Sequence, residues 1–181
     1  MKKTVLLFSL IALTATTGLF AQTKKTTSAI VAFDATTPKD ALPKAENKTV
    51  IAEIDTKSGQ IGFEAAVKNF TFTNPTIQAH FNEERWLNSD KFPAFTFMGK
   101  INDVTKYNFS KNGVYNVTVT GQLTVKDKTN NVTTPATIEV KNGTLIANAS
   151  FSIVLADYGI QVGTAGKIAG EPKITVAAEL K

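Results

Sequence analysis

The longest alternation of apolar and polar residues covers 115–125, with Tyr115, Val117, Val119, Gly121, Leu123 and Val125 on one face and Asn116, Thr118, Thr120, Gln122 and Thr124 on the other. A period of two sends successive side chains to opposite faces of a strand, so this stretch predicts a long, half-buried antiparallel strand. The same period returns in Leu145, Ala147, Ala149, Phe151, Ile153 and Leu155, and again in Ile174, Val176, Ala178 and Leu180. Further strands are predicted over 29–33, 49–55, 60–67 with a continuation at 70–72, 94–101, and 131–141, where Pro135 restricts the strand to an edge or a bulge. Gly59 marks the turn before residue 60. Asn112-Gly113 and Asn142-Gly143 are Asn-Gly pairs between strands, the strongest short hairpin signal, and predict a meander of neighbouring strands.

One segment has a different period. Ile77, Phe81 and the stem of Arg85 recur at helical spacing, with Asn74 and Thr76 as caps and Leu87 near the end, which predicts a short helix near 76–87. Asn88, Ser89 and Asp90 break that period with turn-forming side chains, and Pro93 favours an extended residue before it. The expected fold is therefore all-β, with about eight antiparallel strands. A sheet of that size closes most economically into a barrel, which removes its unpaired edges, although a two-sheet sandwich fits the same periodicity.

Residues 1–21 have the form of a secretory signal: Lys2 and Lys3 precede the apolar run 5–13, and small residues lead to Ala21. Cleavage there leaves residues 22–181 as one domain, periplasmic or secreted, long enough to bury about 70% of its unfolded surface. The chain has no cysteine, so neither a disulfide nor a thiol-linked lipid is expected. Of the formal charge of +5, the two signal lysines carry two, and the remaining +3 is scattered without a basic run, which argues against nucleic acid as a partner.

A single histidine and no cysteine remove most acid-base and nucleophilic constellations, so no catalytic residue and no cofactor is expected. His80 with Asn82, Glu83 and Glu84 falls short of the three or four convergent ligands of a stable zinc site, and no metal is expected either. Asp157 and Tyr158 read as a structural turn with the tyrosine packed. Binding is better supported, because an eight-stranded barrel either fills with side chains or holds one small elongated ligand. On the inward positions Phe63, Phe95, Phe97 and Phe151 are large, whereas Ala65, Gly121, Ala147, Ala149 and Ala178 are small enough to leave a channel. The large residues could equally interdigitate with the small ones as an ordinary core.

Three blocks carry a family resemblance. Leu87, Ser89, Asp90, Phe92 and Pro93, followed by Phe95, Phe97 and Ile101, form a helix-to-strand passage; Gly121, Leu123, Thr124 and Val125 form a "GxLT" strand; and Phe151, Ile153, Leu155, Asp157, Tyr158, Gly159 and Ile160 form a closing "F…DYGI" motif. In order and spacing these resemble the YceI-like family, and the HFNE, SDKFP, MGKI and LADY stretches resemble its Bacteroidetes branch. The opening "HSxixF" motif survives only as Ser58, Gly59, Ile61 and Phe63, without its histidine, and Leu155 stands where a basic residue is common. The resemblance implies a lipocalin-like barrel that binds polyisoprenoids or related lipids. It points to Phe63, Phe95, Phe97, Val119, Leu123, Ala147, Ala149, Phe151 and Ile153 as the lining, with His80, Asn82, Arg85 and Trp86 at the mouth. The expected partner is a long-chain apolar lipid, isoprenoid or quinone-like, with transient membrane-surface contact and a homodimer as further options. The alternative is a filled structural barrel that acts as an interaction module of the cell envelope.

Overall fold

The computed structural model describes residues 22–181; the expected signal, 1–21, lies outside the described residues. The strands are β1 (Thr23–Asp34), β2 (Lys44–Asp55), β3 (Gln60–Ala66), β4 (Thr71–Phe72), β5 (Ala94–Ile101), β6 (Gly113–Val125), β7 (Lys128–Lys141), β8 (Thr144–Ser152) and β9 (Lys173–Leu180), with one helix, α1 (Pro75–Asn82). In the order β1, β9, β8, β7, β6, β5, β3, β2 they pair antiparallel, and β1 pairs back onto β2. The sheet is thus a closed eight-stranded barrel. The two-residue β4 is an extra strand, seated on the end of β2 through Ala45 with Phe72 and Glu46 with Thr71.

The hairpins decide which end is open. At Asn142-Gly143 both residues are left-handed, with φ of 51° and 81°, and this tight turn joins β7 to β8 as expected. Asn112-Gly113 is not a hairpin. A 3-10 turn at Val104–Lys106 lies in the link that separates β5 from β6, and Gly113 simply begins β6. Asn112 instead serves the neighbouring turn, its Oδ1 accepting the N–H of Asn142 at 2.9 Å. β7 begins three residues earlier than expected, because Lys126 and Asp127 make a two-residue loop that keeps Val125 paired with Lys128. Lys126 takes the left-handed conformation there, at φ 56°.

Together with the register, these turns place 56–59, 102–112 and 142–143 at one end, and 35–43, 67–93, 126–127 and 153–172 at the other. The first end is shut. Phe109 stacks on Tyr107 at 5.9 Å and meets Tyr115 edge-on at 5.2 Å, and the Tyr115 hydroxyl donates to the Asn108 carbonyl at 2.6 Å. Above this base Ile54, Ile61, Ile101, Ile138, Val140, Leu145 and Leu180 are buried from six strands, each worth about 1.5–3 kcal/mol relative to exposure.

Two other expectations shift for local reasons. α1 stops at Asn82 rather than reaching Leu87; residues beyond it form turns that still bury Leu87, so an apolar residue continues the helical spacing without a helix. β8 stops at Ser152, and Leu155 opens a 3-10 turn, Leu155–Tyr158, that ends on left-handed Gly159 at φ 71°. Pro135, which lacks an N–H, lies where β7 leaves β8: pairing between them ends at Ala136 with Ala149. Beyond that point β7 is tied to the 3-10 turn by Asn130, whose Nδ2 donates to the Asp157 carbonyl at 3.0 Å.

Candidate functional site

Toward the open end the inward positions change character. On β9, Ala178 and Leu180 are buried while Ile174 and Val176 are only partly so; on β8, Leu145 is buried while Ala147, Ala149 and Phe151 are partly exposed. The same passage occurs on β7 between Ile138 and Ala136, and on β5 between Ile101 and Phe97. The inner face is therefore neither filled nor open throughout. Its lower part is packed core, and its upper part surrounds an apolar cavity of about 530 Å³.

All nine lining positions read from the sequence border this cavity: Phe63 on β3, Phe95 and Phe97 on β5, Val119 and Leu123 on β6, Ala147, Ala149 and Phe151 on β8, and Ile153 just past it. The small residues contribute unequally. Ala65, Ala147 and Ala149 face the space, but Ala178 lies in the packed base and Gly121 makes no room, because the ring of Phe97 covers it. A β-carbon at Gly99 would stand 2.7 Å from Phe97 Cζ, and one at Gly121 would stand 2.5 Å from the same atom. These glycines are register partners across β5 and β6, so the ring fills the place of two side chains and forms part of the floor.

The rim is aromatic. Phe33 of β1 stacks on Phe81 of α1 with centroids 5.5 Å apart and planes 9° from parallel, Phe72 of β4 meets Phe81 edge-on at 4.9 Å, and Phe70 links this group to Phe95 at 5.7 Å. Sequence reasoning did not single out Phe33, Phe70 or Phe72 for the site, since a rim assembled from β1, β4 and α1 follows from the path of 67–93 and not from strand period. The wall positions Ile174 and Val176 were legible in the β9 alternation. α1 is set by Pro75 in its first turn and by Asn74, whose Oδ1 accepts the N–H groups of Thr76 at 2.9 Å and Ile77 at 3.3 Å.

Of the four expected mouth residues, His80, Arg85 and Trp86 border the cavity. Asn82 does not: its Nδ2 turns back to the Gln78 carbonyl at 2.8 Å, and its own carbonyl accepts from the N–H of buried Ser89 at 3.2 Å. The charged groups at the mouth are mutually engaged. Glu83 accepts from Arg85 Nε at 2.7 Å and lies 2.8 Å from His80 Nδ1, while Arg85 Nη2 stands 3.1 Å from that same nitrogen. Nδ1 serves one of these neighbours at a time, because the carboxylate only accepts and the guanidinium only donates. The bond from His80, and then the charge of Arg85, hold the Glu83 carboxyl below its usual range. Trp86 is fixed through its carbonyl, which accepts from Lys126 Nζ at 2.8 Å.

Tyr158 is buried beside the seam of β7, and burial pushes its pKa up. Among the described residues no group of three or more His, Asp or Glu side chains converges as a metal site would require.

The fold resembles several solved structures. A polyisoprenoid binding domain from Saccharophagus degradans, implicated in plant cell wall breakdown, superimposes with a TM-score of 0.74 at 10% identity, over 88% of this chain and 98% of that one. BcnA from Burkholderia cenocepacia gives 0.66 at 19% identity, over 84% and 96%. The YceI protein of Campylobacter jejuni gives 0.52 at 17% identity, over 73% and 80%. A comparison with curated proteins finds no match. The sequence pattern of the YceI-like domain matches residues 9–180, nearly the whole chain, and the protein therefore belongs to the YceI-like family.

Proposed function

We propose that this protein is a non-enzymatic carrier that sequesters a long apolar lipid, isoprenoid-like or fatty, with the tail inside the barrel. The apolar cavity carries this reading: a continuous space of about 530 Å³ with few polar groups suits a hydrocarbon tail. The likeness to a polyisoprenoid binding domain points the same way. Each methylene-sized group removed from water contributes roughly 0.8 kcal/mol, so a tail of about 20 carbons gives about 16 kcal/mol gross. An association cost of about 5 to 10 kcal/mol leaves about 6 to 11 kcal/mol, which corresponds to binding between tens of micromolar and about ten nanomolar.

In this reading the headgroup sits at the mouth, near His80, Arg85 and Trp86. The mechanism is an equilibrium: the barrel hides the tail from water and releases it at a membrane surface or an acceptor. The export signal read at 1–21 supports a periplasmic or secreted setting for this activity. Native mass spectrometry after mild purification from the host tests the proposal. A stoichiometric isoprenoid or fatty mass is expected; a clean apo mass, under conditions that preserve known lipid complexes, would reject it.

A further inference from the structure

Resting on the lipid reading above, we infer that the barrel measures its ligand: the buried tail is about 12 to 20 carbons long, and the floor at Phe97, Val119 and Ile138 sets the limit. Two independent dimensions bracket that length. The first is volume. A methylene-sized group packed as densely as a protein interior occupies about 27 Å³. A cavity of about 530 Å³ then holds about twenty such groups, or four isoprene units.

The second is depth. Ala147 pairs with Ile138 and Ala178 at the level where β7 and β9 become fully buried, and Ile153 lies at the upper edge. Six residues separate them, which at about 3.3 Å each and a barrel tilt of about 40° is about 15 Å along the axis. A fully extended chain advances about 1.3 Å per bond and crosses that depth in about twelve carbons. A tail of twenty therefore fits only if it bends, and the width around the small Ala147 and Ala149 side chains permits the bend.

The floor has no slack. Beneath it Ile101 and Leu145 are 2% exposed or less, and Phe97 occupies the space above both glycines. A tail longer than the cavity gains nothing from its extra carbons, because they protrude into water at the mouth.

The test is a titration of the full mature chain with prenyl alcohols of ten, fifteen, twenty and thirty carbons. Binding is followed by the fluorescence of Trp86, the one tryptophan in the chain, and by the rise in melting temperature. Affinity is expected to climb more than about tenfold from ten to twenty carbons, as methylene burial requires, and to change less than about threefold from twenty to thirty. A climb that continues steeply to thirty overturns the length limit while leaving lipid carriage intact; no response to any alcohol in either readout overturns lipid carriage itself. Two variants locate the floor: Ala147→Phe is expected to move the plateau to shorter alcohols and Phe97→Leu to longer ones. Folded variants that both keep the wild-type plateau overturn the assignment of the floor.

Discussion

Gly121 lies directly beneath the ring of Phe97, and a β-carbon added to it would come within 2.5 Å of Phe97 Cζ and within 2.6 Å of both Gly99 Cα and the Met98 carbonyl oxygen. The ring could swing aside, but the neighbouring strand could not. Gly121→Ala is therefore expected to cost about 3 kcal/mol or more, at the upper end of overpacking penalties. Combining it with Phe97→Leu should recover only a minor part. Urea unfolding of the single and double variants measures this; full recovery in the double variant would show that the ring alone makes the glycine necessary.

Asn47 is fully buried and spends its side chain on the backbone. Its Nδ2 donates to the Ala66 carbonyl at 2.9 Å, and its Oδ1 accepts from both the N–H and the hydroxyl of Thr49 at 2.8 Å. It thereby ties β2 to the end of β3, beyond the last ladder pair at Ile51 with Glu64. Asn47→Ala removes all three bonds from a fully buried position, and a loss of about 1–3 kcal/mol is expected from the same unfolding measurement. Thr49→Ala should cost less than half as much.

Asn74 caps the helix that carries Phe81 into the rim. Asn74→Ala should cost about 1 kcal/mol, whereas Asn74→Asp should be near neutral because the carboxylate accepts the same two N–H groups. If α1 holds the mouth, the alanine variant will also release bound lipid faster than the aspartate variant in a transfer assay to vesicles.

Two of the shifted groups contribute to the pH dependence of stability from opposite sides. Burial raises the pKa of Tyr158 above that of the unfolded chain, so the stability tied to its neutral form is full below the ordinary tyrosine range and is lost as pH rises through the raised value. The Asp55 carboxyl is lowered by the N–H groups of Ser58 and Lys57, so its contribution is full above the ordinary aspartate range and is lost as pH falls through the lowered value. Tyr158→Phe should flatten the alkaline limb of a melting-temperature profile and leave the acid limb alone, and Asp55→Asn should do the reverse. A variant that moves both limbs equally would contradict these assignments.

Much of the barrel was legible because its strands are wetted on one face only. β6, β8 and β9 alternate cleanly, and that alternation locates their inward residues to within a position. What a period of two does not encode is how far a side chain reaches. Gly121 reads as free space in the sequence, yet Phe97 two pleats away along the neighbouring strand fills it. Nor does the period say at what height the core stops and the cavity begins, since Leu145 and Ala147 stand on the same face of the same strand and differ only in what their neighbours across the barrel leave open. The end of α1 was hidden because Leu87 is buried by turns at a spacing a helix would also produce. The Asn-Gly signal was right at residue 142 and wrong at 112, where the asparagine side chain braces a hairpin in place of forming one.

The division of the barrel into a packed base and an upper half built around a cavity separates two demands that most cores must meet with the same residues. Ile138, Leu145 and Leu180 answer to folding, while Ala149, Phe151 and Ile174 answer to whatever occupies the space above them. A substitution in the second set leaves the contacts of the first in place. The fold of this protein can therefore be inherited unchanged while the shape and chemistry of its cavity drift.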